Sequence, residues 1–175
     1  MKELEIREGD LVLSDIGFDT HGSTLDRRNR RAVRSVVLDN SNQVALLYVQ
    51  KHNYHKLPGG GIEDGEDEKK ALTREIREEV GTEVSIGNKI GKVIEYRDQY
   101  GQIQTSTAYV SHIHGDKTTQ QFTELEQLQG FSLDWVPLDR ALQIIQGETP
   151  TNYEGRFIQR RDSAILSWVK DSLEI

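Results

Sequence analysis

Leu57–Thr82 reads LPGGGIEDGEDEKKALTREIREEVGT, and the rest of the chain is best read outward from it. Gly59, Gly60 and Gly61 lead through an acidic loop into a run of helix formers from Asp67 to Val80, and Gly81 supplies the usual helix stop. Three familiar loop motifs fail on this stretch. A Walker loop needs Gly-Lys-Ser/Thr, but Gly65 is followed by Glu66; a dinucleotide fingerprint from Gly59 and Gly61 needs glycine where Asp64 stands; an EF-hand turning on Gly65 needs aspartate where Gly60 stands.

At 100° per residue, with Glu75 set at zero, Glu68 falls at about 20°, Glu79 at about 40° and Glu78 at about 300°. Leu72, Ile76 and Val80 fall between about 60° and about 140°, and Lys70, Arg74 and Arg77 between about 200° and about 260°. The helix therefore has an apolar sector to bury, a basic sector and an acidic one. The pairs Glu75 with Glu78 and Glu75 with Glu79 are like charges one turn apart, each costing about 0.2–0.5 kcal/mol in an isolated helix. Neighbouring arginines could offset that repulsion, leaving an ion-paired solvated face. So could a hard divalent cation, which prefers carboxylate oxygens. Helix geometry alone leaves both open.

Upstream, Arg31–Leu38 and Gln43–Gln50 are β-branched and aliphatic segments flanking Asp39-Asn40-Ser41-Asn42, which predicts a β-hairpin. A third extended piece around Lys56–Pro58 runs into the glycines. Residues 1 to about 25 read as a short strand with loops. Downstream, Glu83–Tyr100 and Gln102–His114 suggest a second antiparallel pair, and Gly115–Gly130 is polar without a strand pattern. Leu133–Val136 reads as a short strand and Leu138–Gln146 as a helix. The apolar spacing over residues 155–173 predicts a closing amphipathic helix. No repeat or linker divides the 175 residues, so one α/β (α+β) domain is expected, with residues 1–25 and the helix 155–173 at its periphery.

Composition narrows the function classes. Leu, Ile, Val and Phe make up about a quarter of the chain, above the roughly 20% below which chains stay disordered. The longest apolar run, Val44–Val49, is far short of the roughly 20 residues a bilayer needs, and the N-terminus has no apolar signal core. No membrane attachment is expected. The absence of cysteine excludes disulfide scaffolds, thiolate zinc sites and a cysteine nucleophile, and fits a cytoplasmic location. A net charge of −7 opposes general nucleic-acid binding. Arginine is nevertheless clustered, at Arg27, Arg28, Arg30, Arg31 and Arg34 and again at Arg156, Arg160 and Arg161. Histidine is an uncommon ligand for magnesium, so His52, His55, His112 and His114 are not expected to bind metal.

The spacing adds what geometry could not. Gly60, five residues, Glu66, seven residues, then Arg74-Glu75-Ile76-x-Glu78-Glu79-x-Gly81 resembles the Nudix box over residues 60–82, with eight of nine fixed positions matched and Thr82 standing where the pattern has a bulky apolar residue. The resemblance to Nudix hydrolases implies a sandwich of mixed β-sheet between helices. It implies Glu75, Glu78 and Glu79 as ligands of Mg²⁺, for which Mn²⁺ can substitute, and a Glu66–Arg74 ion pair fixing the loop to the helix. It also implies Gly60 and Gly61 at the phosphate, with Arg34 and Arg156 as further substrate contacts. The activity implied is hydrolysis of a phosphoric anhydride bond in a nucleoside diphosphate linked to another moiety: a nucleoside triphosphate, an ADP-sugar or a dinucleoside polyphosphate. Glu75, Glu79 and a downstream glutamate, Glu124 or Glu126, are the catalytic candidates. The resemblance further implies a homodimer paired through the N-terminal region. A non-catalytic nucleotide-binding module of the same fold is the alternative. A related isoprenoid diphosphate isomerase relies on a cysteine this chain lacks.

Overall fold

A computed structural model describes residues 11–13 and 26–173. Its strands are β1 (Leu11–Leu13), β2 (Arg28–Leu38), β3 (Gln43–Val49), β4 (Tyr54–Lys56), β5 (Glu83–Arg97), β6 (Gln102–His114) and β7 (Phe131–Pro137). Its helices are α1 (Glu68–Glu79), α2 (Glu124–Leu128), α3 (Leu138–Gly147) and α4 (Tyr153–Leu173). The strands run β1-β5-β6-β2-β3-β4, with β7 on the other edge of β3. β1 is parallel to β5 and β2 to β6, and the remaining pairs are antiparallel, so the sheet is mixed.

The two faces of β2 are divided by the period of a strand. Val33 and Val37 face Leu72 and Ile76 of α1 and Val80 at its C-cap. Val36 and Leu38 face Ala141 and Ile145 of α3 and Phe157, Ile165 and Leu166 of α4. This is the expected sandwich of mixed sheet between helices. The helix predicted over 155–173 is not peripheral, however: α4 buries Phe157, Ile158, Ile165, Leu166 and Val169 together with Arg161 and Asp162. Of the N-terminal segment, Leu11–Leu13 forms an edge strand on β5, and the remainder, including the region expected to pair two copies, lies outside the described residues.

One irregularity positions everything that follows. β2 and β3 are in register only at Leu38 and Val44, beside the Asp39 turn, whose carboxylate accepts the backbone N–H groups of Ser41 and Gln43 at 2.9 Å each. The strands then splay. Backbone groups of β2 cannot stay unpaired in a buried sheet, and the glycine loop fills the wedge: Ser35 donates to the Pro58 carbonyl at 3.0 Å, Val33 to Gly60 at 2.9 Å and Ile62 to Arg31 at 3.0 Å.

The polar stretch 115–130 also holds an element the periodicity did not reveal. α2 is launched by a capping box, in which Thr123 and Glu126 each satisfy the other's backbone N–H. The segment before it caps the end of α1, with Gln121 donating to the Glu78 carbonyl at 2.7 Å and Thr118 to Gly81 at 2.6 Å.

Candidate active site

α1 begins at Asp67, whose side chain accepts the Lys70 N–H at 2.8 Å, and ends as Gly81 turns to φ +72°. Its apolar sector packs on the sheet, and that packing turns the acidic sector toward the glycine loop. Gly60 shows how close the approach is: a Cβ there would lie 2.2 Å from Glu75 Oε1. Gly59 sits at φ +136°, with the Val33 carbonyl where a side chain would go.

The loop is pinned from both sides. Arg74 donates from Nε and Nη2 to the two carboxylate oxygens of Glu66, at 2.8 and 3.0 Å. It also donates from Nη2 to the Gly61 carbonyl at 3.0 Å and from Nη1 to Glu75 Oε1 at 2.8 Å. The guanidinium holds the Glu66 carboxyl down at about 2, and Glu66, with help from Glu75, keeps Arg74 charged. From behind, the Leu57 N–H donates to Asp162 of α4 at 2.8 Å.

The acids of α1 have different surroundings. Glu79 is 1% exposed; its Oε2 accepts the Gly59 N–H at 2.7 Å and its Oε1 accepts Lys56 Nζ at 3.1 Å. Burial pushes its carboxyl up against the pull of Lys56, and the charge on Glu75 pushes the same way. Glu78 is raised by burial and then by Glu75. Glu68, on the same sector, is turned away to the Tyr109 hydroxyl, Thr107 and Lys89. Glu75 and Glu79 thus stand against the loop, the charge on Glu75 is felt by both Glu78 and Glu79, and Arg74 and Lys56 offset that repulsion.

That donor set fits a hard divalent cation, since it offers several carboxylate oxygens and no thiolate or imidazole. In this arrangement no group of three acidic or imidazole side chains among the described residues is gathered closely enough to hold an ion. Glu79 and Glu75 are instead turned to their cationic partners.

The other candidates divide. Arg34 is buried beneath the loop, donating from Nη1 to the Val33 carbonyl, and does not face outward. Arg156 is exposed on α4 and pairs with no carboxylate among the described residues. Glu124 occupies the first position of α2, exposed; its neighbour Glu126 is the one whose charge reaches Glu78. Thr82 is buried with its hydroxyl donating to the Glu83 carbonyl at 3.2 Å, so the departure from an apolar residue leaves no unpaired group.

Two residues not singled out from the sequence stand at the site. Arg30 reaches Gln104 with one nitrogen and lays the other 2.9 Å from where a Cβ of Gly61 would be. Alternation along β2 from Arg34 was the available signal. Lys56 carried none, because its contact spans the fold.

Known proteins share this fold. The NUDIX domain pattern matches residues 28–154. An 8-oxo-(d)GTP phosphatase of Mycolicibacterium smegmatis is 27% identical over 118 residues, covering 67% of this chain and 34% of that protein. The chain thus spans about a third of the length of that curated relative. Two solved structures share the fold: a NUDIX hydrolase from Nitrosomonas europaea, with TM-score 0.58, 16% identity and coverage of 84% of this chain and 90% of that one, and a MutT protein from Methanosarcina mazei, with TM-score 0.54, 19% identity and coverage of 78% and 95%. With the pattern matched over most of its length and the box residues gathered at one loop, this chain belongs to the NUDIX domain family.

Proposed function

We propose that the chain hydrolyses a phosphoric anhydride bond in a nucleoside diphosphate linked to another moiety, with Mg²⁺ or Mn²⁺ held by Glu75, Glu78 and Glu79. The observation that carries this reading is the approach of the Glu75 carboxylate to Gly60, where any side chain would collide with it, beside Glu79 held at the Gly59 N–H. A solvated ion-paired face would not need a glycine there. The chemistry such a cation supplies is neutralisation of phosphate oxygens along an in-line displacement.

The residues of the chain do the rest. Gly60 and Gly61 let the backbone meet a phosphoryl group closely, and Arg30, lying against Gly61, offers a second charge to it. Glu66 and Arg74 hold the loop at a fixed height over α1. Glu75 is the carboxylate packed against Gly60 and the first candidate to accept the proton of the attacking water as the P–O bond to the leaving phosphate breaks. Glu126 is the alternative acceptor, and Glu124 stands farther back in this reading. The name of the mycolicibacterial relative favours a nucleoside triphosphate among the compatible substrates.

The test is Glu79→Gln, assayed for phosphate or pyrophosphate release over a nucleotide panel with Mg²⁺. Turnover should fall at least about a hundredfold, more than loss of an outer-shell partner causes. The amide still accepts the Gly59 N–H, so the melting temperature should stay within about 4 °C. A variant that keeps its rate removes Glu79 from the machinery. Wild-type protein that binds nucleotides without turning any over leaves the non-catalytic module.

A further inference from the structure

Glu75 and Glu79 each carry a cationic partner, and the two partners are held very differently. Arg74 is locked: besides Glu75 it grips both oxygens of Glu66 and the Gly61 carbonyl. Lys56 has one carboxylate, Glu79 at 3.1 Å, and otherwise lies along the Phe131 ring, its Nζ 5.2 Å from the centroid. Its side chain is 12% exposed, so it lies largely out of water without being sealed off from it. An ammonium on a four-carbon stem can leave a partner without disturbing the backbone, whereas a planar guanidinium fixed at three acceptors cannot.

We infer that Lys56 is the resident counter-cation of Glu79, which a divalent ion must displace before Glu79 can ligate it. The inference rests on the reading of Glu75, Glu78 and Glu79 as metal ligands. Both oxygens of Glu79 are engaged, Oε2 by the Gly59 N–H and Oε1 by Lys56. The Gly59 bond is compatible with ligation, because it is neutral and holds the loop in place. The Lys56 bond opposes ligation, because an ammonium 3.1 Å from the ligating oxygen would compete for that oxygen and repel a second cation bound beside it. The apparent metal affinity is then the intrinsic affinity reduced by the fraction of molecules in which Lys56 still holds Glu79. Lys56 acts through Glu79 and is a positioning residue. It keeps a buried carboxylate charged and aimed at the loop while no divalent ion is there.

The experiment is titration with Mn²⁺ alone, followed by the spin-resonance signal of the free ion, on wild type, Lys56→Met and Lys56→Arg at pH 8 without nucleotide. Lys56→Met should bind Mn²⁺ roughly ten- to a hundredfold more tightly than wild type, the range of a charged hydrogen bond released from competition. Lys56→Arg, which keeps the charge, should bind no more tightly than wild type. Equal or weaker binding by Lys56→Met overturns the inference and leaves the metal site standing. Absence of binding by both wild type and Lys56→Met at millimolar Mn²⁺ overturns the metal site and the inference together. A readout on wild type alone guards against a variant that folds poorly: the nitrogen-15 signal of the Lys56 ammonium should be protected in metal-free protein and lose that protection as Mg²⁺ saturates the site. Protection that persists at saturation overturns the inference.

Discussion

Glu79 and Glu95 are both almost completely buried, at 1% and 0% exposure, yet their carboxyls are pushed in opposite directions. Burial raises Glu79, and Lys56 does not overcome it. Burial would raise Glu95 too, but Arg161 and Arg97 overcome it and hold the carboxyl low. Glu95 accepts Arg97 Nη2 at 2.9 Å and Gln104 Nε2 at 2.9 Å, with Arg161 at 3.6 Å. It belongs to a layer between the sheet and α4, in which Arg161 also grips Asp162 and Asp162 grips the Leu57 N–H. In the region behind the glycine loop, buried carboxylates are matched by buried guanidinium groups. The region in front is charge left partly unsettled, and that reserve is what a site for cations and phosphate needs.

The comparison can be broken from either side. The largest effect belongs behind the loop. Arg161→Met strands Glu95 and Asp162 without their shared guanidinium, and should cost about 3–5 kcal/mol in denaturant unfolding. A cost under about 1 kcal/mol would mean the layer is not the structural half of the pair. The adjacent glycines give a smaller and sharper contrast. Gly59→Ala forces a side chain toward the Val33 carbonyl at positive φ, and should destabilise by about 1–3 kcal/mol. Gly60→Ala meets only the mobile end of Glu75, so stability should move by less than about 1 kcal/mol, while displacement of that carboxylate lowers turnover about tenfold or more. The smallest effect is in acid. Glu66 has its carboxyl held at about 2 against an ordinary 4.5, so its contribution is complete above about pH 4.5 and is lost as pH falls toward 2. The melting temperatures of wild type and Glu66→Gln should differ above pH 4.5 and converge by pH 2.

Much of this was legible before any coordinates. Helix α1, its cap and its stop follow from Asp67, the three-sector wheel and Gly81, all local features. The hairpin follows from the Asp39 turn, and the second strand pair from alternation in β6. α2 is hidden although Thr123 and Glu126 spell a capping box, because five residues carry too little periodicity to stand out from a polar stretch. The depth of α4 is not legible in the sequence, because amphipathic spacing reports only that one face is buried. Arg161 and Asp162 on that face look like surface charges until Glu95 and Leu57 are brought opposite them. Arg34 is buried behind the loop, because strand alternation puts it on the face of β2 that Val36 and Leu38 share, and its burial shows only once the helices cover that face.

By itself the sequence determined the box: the order of glycine, glutamate and arginine along one loop and one helix, whose contacts are set by turns of the chain a few residues apart. Tertiary structure alone decided what surrounds it. The wedge between β2 and β3, Lys56 on Glu79 and Arg30 beside Gly61 all join segments distant along the chain. Such contacts arise from the packing of a sheet against helices on both faces, and no local propensity encodes them.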